Sequence, residues 1–171
     1  MKMTAIGHSW FRCSILAMLT LILSGCLEVP TQVKLEGSQI PVFALAGTGN
    51  LGSFSIYSLP PEEKLKSRDQ IKLLWKIMSE PNGSAGYSLR AVGKVTYGVV
   101  PKGYKQVFPE TGASPEGIVP GARYSFYCET TNAPHAGGLF ALKNGLAIKL
   151  NERVPCFEEQ AGKSVRVPCT K

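Results

Sequence analysis

The stretch Ile118-Val119-Pro120-Gly121-Ala122-Arg123-Tyr124-Ser125-Phe126 sets an apolar pair and a Pro-Gly turn directly before a run that continues Tyr127-Cys128. Alternate residues of a strand point to opposite faces, so Tyr124, Phe126 and Cys128 share one face. Downstream, after the loop Asn132-Ala133-Pro134-His135, the runs Leu139 to Lys143 and Leu146 to Leu150 flank Asn144-Gly145. That dipeptide is the strongest short signal for a two-residue hairpin turn. A strand followed by a hairpin is therefore expected here.

The same grammar extends upstream, where short runs rich in β-branched and aromatic residues are punctuated by Gly and Pro. Val33-Lys34-Leu35, Val42-Phe43-Ala44-Leu45, Phe54-Ser55-Ile56-Tyr57, Gly93 to Val100 and Tyr104 to Phe108 read as strands, and Pro109 to Pro120 as a long connection. Pro61-Glu62-Glu63-Lys64-Leu65-Lys66 carries the early proline and first-turn acids of a short helix. Ile71 to Met78 fits both periods; the following Pro81-Asn82-Gly83 and the β-rich surroundings favour a strand with Trp75 in the core. Ala46-Gly47-Thr48-Gly49-Asn50-Leu51-Gly52 contains a literal G-x-G-x-x-G. The pattern binds dinucleotides only where its last glycine opens a helix. Here Gly52 leads into an alternating run and then Pro60-Pro61, so a turn joining two strands is expected, and no nucleotide. The fold class is all-β, one sandwich.

The stretch from Ile118 resembles the fibronectin type III pattern, in which an apolar residue and Pro-Gly lead, three residues on, to a strand-opening tyrosine. By that resemblance Tyr124 makes a tyrosine corner, its hydroxyl bonding to upstream backbone, and the face shared with Phe126 and Cys128 is the inward one. The likeness covers Ile118 to Leu142 and implies an immunoglobulin-like sandwich.

The N-terminus carries Lys2 and Arg12 and then an apolar run, Cys13 to Leu23, of signal-peptide length. It is too short to span a bilayer, which needs roughly 20 apolar residues. Leu23-Ser24-Gly25-Cys26 resembles the lipobox of bacterial lipoprotein precursors; an ordinary secretory signal and a short uncleaved anchor are the alternatives. The resemblance implies cleavage after residue 25 and a diacylglycerol thioether on Cys26, hence a membrane partner. Residues 26–31 then form a tether and 32–171 the domain. Leu27 stands where such families often carry an inner-membrane-retaining Asp, which favours the outer membrane in a Gram-negative host.

Two of the 19 basic residues and none of the 12 acidic ones lie in residues 1–25, so the remainder carries a net charge of about +5. A moderate positive excess suits anionic envelope surfaces. Export and the lack of a recognised motif argue against nucleic acid. Besides Cys26, the exported part keeps Cys128, Cys156 and Cys169 in a compartment where disulfides persist. Cys156 and Cys169 each follow Val-Pro, which biases the chain to extended backbone, and Ala161-Gly162-Lys163 can turn it. A Cys156–Cys169 bond is expected, fastening a tail with little apolar surface.

Catalytic apparatus is not indicated. His135 and Asp69 are the lone His and Asp after the signal, without a nucleophile elbow, so a Ser-His-Asp triad is not expected. His135 with the three cysteines lacks zinc-finger spacing, so neither metal nor cofactor is expected. Tyr97, Lys102, Tyr104, Lys105 and Phe108 alternate aromatic and basic side chains around a Pro-Gly loop. Such side chains suit a binding patch for an acidic glycan or an envelope protein, but the reading preferred here puts the aromatics in the core and leaves the lysines to solubilise. The functional expectation is a lipid-anchored binding or assembly module. An envelope-polymer hydrolase with an unidentified carboxylate pair, and an accessory lipoprotein of a secretion or envelope complex, are the alternatives.

Overall fold

In the computed structural model residues 29–80 and 86–169 are described. Cys26, the signal segment and the Pro81-Asn82-Gly83 turn lie outside them. Among the described residues eleven strands are formed: β1 (Gln32–Glu36), β2 (Val42–Ala46), β3 (Asn50–Leu59), β4 (Lys72–Ser79), β5 (Lys94–Thr96), β6 (Tyr104–Phe108), β7 (Arg123–Thr131), β8 (Ala136–Lys143), β9 (Leu146–Leu150), β10 (Cys156–Gln160) and β11 (Lys163–Val167). A three-stranded sheet, β1-β2-β5, packs on a six-stranded one, β6-β4-β3-β7-β8-β9, while β10 and β11 pair apart from both. The expected all-β sandwich is formed.

Register explains which side chains fill it. Across the large sheet Phe54 stands opposite Cys128 and Ile77, and Ile56 opposite Phe126 and Trp75, all buried. From the small sheet Phe43 reaches into this layer, its ring centroid 5.0 Å from Phe54, 5.2 Å from Phe126 and 5.5 Å from Phe140. Phe126 also lies over Gly138, where an added Cβ would sit 2.8 Å from its ring. Aromatic packing of this kind contributes beyond the area it buries.

The run from Ile71 to Met78 is a strand with an irregularity. Trp75 pairs with Ile56 and Leu73 with Tyr57, so Leu74 is an extra residue, buried beside Trp75. A bulge inserts one residue and locally breaks alternation; that is why two periods were legible there. Asn144 and Gly145 take φ of 52° and 75° and close the β8-β9 hairpin; Ala161 and Gly162, at 50° and 75°, close β10-β11.

The turn after β2 carries the chain from one sheet to the other, since β2 and β3 belong to different sheets. Gly47 adopts φ 126°, and the N–H and Oγ1 of Thr48 both donate to Val29 O at 3.2 Å. The strand foreseen over Gly93 to Val100 is shorter. A single helical turn, α1 (Leu89–Val92), precedes it, and Gly98 at φ 78° ends it. The helix foreseen at Pro61 is one 3-10 turn, Glu62–Lys64.

Candidate functional site

The candidate patch of Tyr97, Lys102, Tyr104, Lys105 and Phe108 does not assemble. Alternation along β6 turns Tyr104 and Gln106 inward and Lys105 outward. Both tyrosines are buried because their hydroxyls reach backbone acceptors. Tyr104 Oη donates to Leu51 O at 2.8 Å and accepts from the Tyr87 N–H at 3.1 Å, and Tyr97 Oη donates to Glu116 O at 2.7 Å. A buried hydroxyl needs such a partner, and desolvation raises both phenols above their ordinary pKa, Tyr97 strongly. The Tyr97 ring meets Trp75 edge-on at 5.6 Å. Lys102 is exposed.

Gln106 carries a role that the alternation of the sequence did not signal. Its Oε1 accepts from Trp75 Nε1 at 2.9 Å, and its Nε2 donates to Pro109 O at 3.1 Å and Ala113 O at 2.7 Å. Thr111 Oγ1 in turn donates to Gln106 O at 3.0 Å. The connection after β6 is thus folded along the outer edge of that strand, which blunts it as a template for another chain.

Lys105 and Phe108 do stay outside, where the register gives them new neighbours. On the outer face of the large sheet one cross-strand row runs Tyr127, Ser55, Lys76, Phe108, and the next runs Glu129, Ser53, Met78, Lys105. Tyr127, Met78 and Phe108 are 42%, 40% and 39% exposed. Tyr127 and Phe108 stand three strand spacings apart, ~14 Å. Between them Ser53 and Ser55 are short and buried beneath their neighbours, and Ser53 Oγ donates to Glu129 Oε2 at 2.6 Å. His135 flanks Tyr127 at 5.6 Å between rings, and its Nδ1 accepts from the Thr130 N–H at 3.0 Å, which anchors the loop it sits in.

The other half of this outer face is covered. Leu59, Leu139 and Leu65 form a second, smaller core, packed by Ile71, Leu150 and Phe157. The C-terminal hairpin lies there, closed by the Cys156–Cys169 disulfide with 5.3 Å between Cα atoms. Charges stitch it down. Arg166 Nη2 meets Glu62 Oε1 at 2.9 Å; Glu62 Oε2 lies 3.6 Å from Arg123 Nη1; Arg123 also pairs with Glu152. Arg166 and Arg123 hold the Glu62 carboxyl below the usual carboxylate range. Between hairpin and sandwich opens a cleft of about 910 Å³.

Tyr124 Oη accepts from the Val119 N–H at 2.9 Å, five residues upstream. Cys128 is a free, buried thiol, and burial pushes it up to about 12; an inert structural cysteine behaves this way. Among the described residues no cluster of three His, Cys, Asp or Glu side chains could hold a metal, and no helix is long and apolar enough to cross a membrane. No protein-family model, curated protein or solved structure matches the chain.

Proposed function

We propose that this chain is an exported envelope lipoprotein, anchored through Cys26, that acts without catalysis as a binding module for an acidic glycan. The observation that carries the binding role is the open half of the outer sheet face. Tyr127 and Phe108 are part-exposed aromatic side chains at its margins, with Lys76 and Lys105 between and beside them. Sugar rings stack on aromatic faces through their apolar C–H surfaces, and lysines on long apolar stems attract the carboxylates of an acidic chain.

The anchor reading rests on the resemblance of Leu23-Ser24-Gly25-Cys26 to a lipobox. Val29 and Thr31 lie at the Asn50 end of β3, and Thr31 Oγ1 sits 3.1 Å from Thr130 Oγ1. Lipid on Cys26 would hold that pole toward the membrane, with the outer sheet face standing alongside. A glycan hydrolase would need a carboxyl with a raised pKa as proton donor. Glu62, the acid most enclosed by other charges, is shifted the other way.

The test is retention on immobilised polygalacturonate against its methyl-esterified, neutral form. The wild-type chain is expected to bind the acidic form, to elute with salt, and to release no new reducing ends. Tyr127→Ala with Phe108→Ala should abolish retention. Equal passage of wild type and double variant through both columns would remove the glycan role. Cys26→Ser should leave an unprocessed precursor and end detergent-phase partitioning; normal partitioning by that variant would remove the anchor.

A further inference from the structure

The cleft under the C-terminal hairpin has a composition that the stapling of the hairpin does not require. It is built by Leu65-Lys66 on one side, residues 152–156 on another, and Val165 to Cys169 on the third. The disulfide joins two of these walls, so their spacing is tied covalently. Its surface combines a buried Leu65 with Val154, Pro155, Val167 and Pro168.

The charges in the cleft are uneven. Glu62 is matched by Arg166 and Arg123, and Glu152 by Arg123. Among the described residues neither Lys66 nor Arg153 has an acidic partner, and both are exposed at the cleft. The cleft therefore has two uncompensated cations over an apolar floor. The cleft also includes Val154, whose carbonyl oxygen lies 3.5 Å from Cys169 Sγ and 3.9 Å from Cys156 Sγ; disulfide sulfurs carry no hydrogen, so neither donates to it.

We propose that this cleft is a second binding site, separate from the open sheet face, and that its occupant is an extended acidic peptide segment of a partner protein. Carboxylates of such a segment meet Lys66 and Arg153, its apolar side chains lie against Leu65, Val154 and Val167, and a peptide N–H donates to Val154 O. Complementary charge of this kind sets specificity and speeds encounter. An anionic lipid shares the carboxylate or phosphate and the apolar body but brings no peptide N–H. The cleft also lies toward the Leu59 and Glu62 end of the large sheet, whereas Val29 lies at the Asn50 end. The preference for peptide over lipid thus rests in part on the anchor reading, which points this end away from the membrane.

The experiment uses the full chain in nanodiscs of neutral phosphatidylcholine. The probe is a fluorescein-labelled hexapeptide of alternating leucine and glutamate, read by anisotropy, with the leucine–glutamine hexapeptide as control. Saturable binding in the tens-of-micromolar range is expected for the acidic peptide alone, weakening with salt. Lys66→Ala with Arg153→Ala should weaken it at least ~10-fold. Both side chains are exposed, so the fold should persist, and an unchanged circular dichroism spectrum checks this. Lys105→Ala, on the open sheet face, should leave peptide binding unchanged while weakening glycan retention, which keeps the two proposals separable. Absence of saturation, equal binding by the double variant, or displacement of the peptide by anionic phospholipid vesicles in a Lys66- and Arg153-dependent manner would each overturn the peptide site.

Discussion

On its inner side the six-stranded sheet meets a cluster of 16 buried side chains, among them Trp75, Phe43, Phe54 and Phe140. On its outer side the buried apolar side chains of the smaller cluster are Leu59, Leu65 and Leu139, and the hairpin above them is held by one disulfide and a chain of four charges. The inner layer is stabilised by burial, which scales with apolar area and acts without regard to direction. The outer lobe has too little apolar surface for that. It relies on a covalent link that limits the unfolded ensemble, and on ion pairs that are largely exposed and each worth little. A domain can therefore carry a firm core and a lobe that depends on redox state and pH.

The sharpest way to break this contrast is to strike the core. Trp75→Ala removes the largest fully buried side chain and leaves Gln106 Oε1 without its donor. A loss of about 3–5 kcal/mol is expected from urea denaturation, with the lobe and the sandwich unfolding together. A loss below 1 kcal/mol would mean that the aromatic layer is not what holds the sheets.

Removing the disulfide, Cys156→Ser with Cys169→Ser, probes the other side. Its loop of 13 residues' separation is worth about 3 kcal/mol in the chain-entropy account. Hydrogen exchange should accelerate at the amides of Glu158 and Val165 while those of Phe54 and Cys128 keep their protection. Uniform acceleration throughout would merge the two regions into one cooperative unit.

Smaller still is the corner at the end of the long connection. Tyr124→Phe deletes the acceptor of the Val119 N–H and should lower stability by about 1–3 kcal/mol with the fold unchanged. An unaltered denaturation midpoint would show that water replaces the hydroxyl at no cost.

The mildest effect is that of acid on the lobe. The Glu62 carboxyl is held below the usual carboxylate range in the folded chain because Arg166 and Arg123 favour its charged form. A carboxylate of depressed pKa contributes stability that is complete above its unfolded pKa and disappears as pH falls through the folded value. Acidification from about pH 5 downward should thus loosen the hairpin first, seen as faster exchange in β10 and β11. Glu62→Gln should flatten that profile; an identical acid response in the variant would place its cause in another group.

Much of the sandwich was legible because strands write themselves locally. Alternation around Tyr124, Phe126 and Cys128, the Asn144-Gly145 turn, and the paired Val-Pro-Cys motifs each depend on residues adjacent in sequence, and they correspond to β7, the β8-β9 hairpin and the 156–169 disulfide. The binding patch was not legible in the same way. Tyr97 and Tyr104 have the side chains of a surface cluster, but their hydroxyls found backbone partners at Glu116 and Leu51, 19 and 53 residues away. No local pattern encodes such a partner.

What this sequence determined alone was therefore the set of strands and turns, since φ/ψ preference, proline and glycine act within a few residues. The division of those strands into three and six, and the neighbours each outward side chain received, were decided by tertiary structure. Phe108, Lys76, Ser55 and Tyr127 come from four separate segments and share a row only through cross-strand register. The Glu62, Arg123, Glu152 and Arg166 network likewise spans more than 100 residues of chain. Register is set by which faces can be buried together, a property of the whole packed layer that no single segment contains.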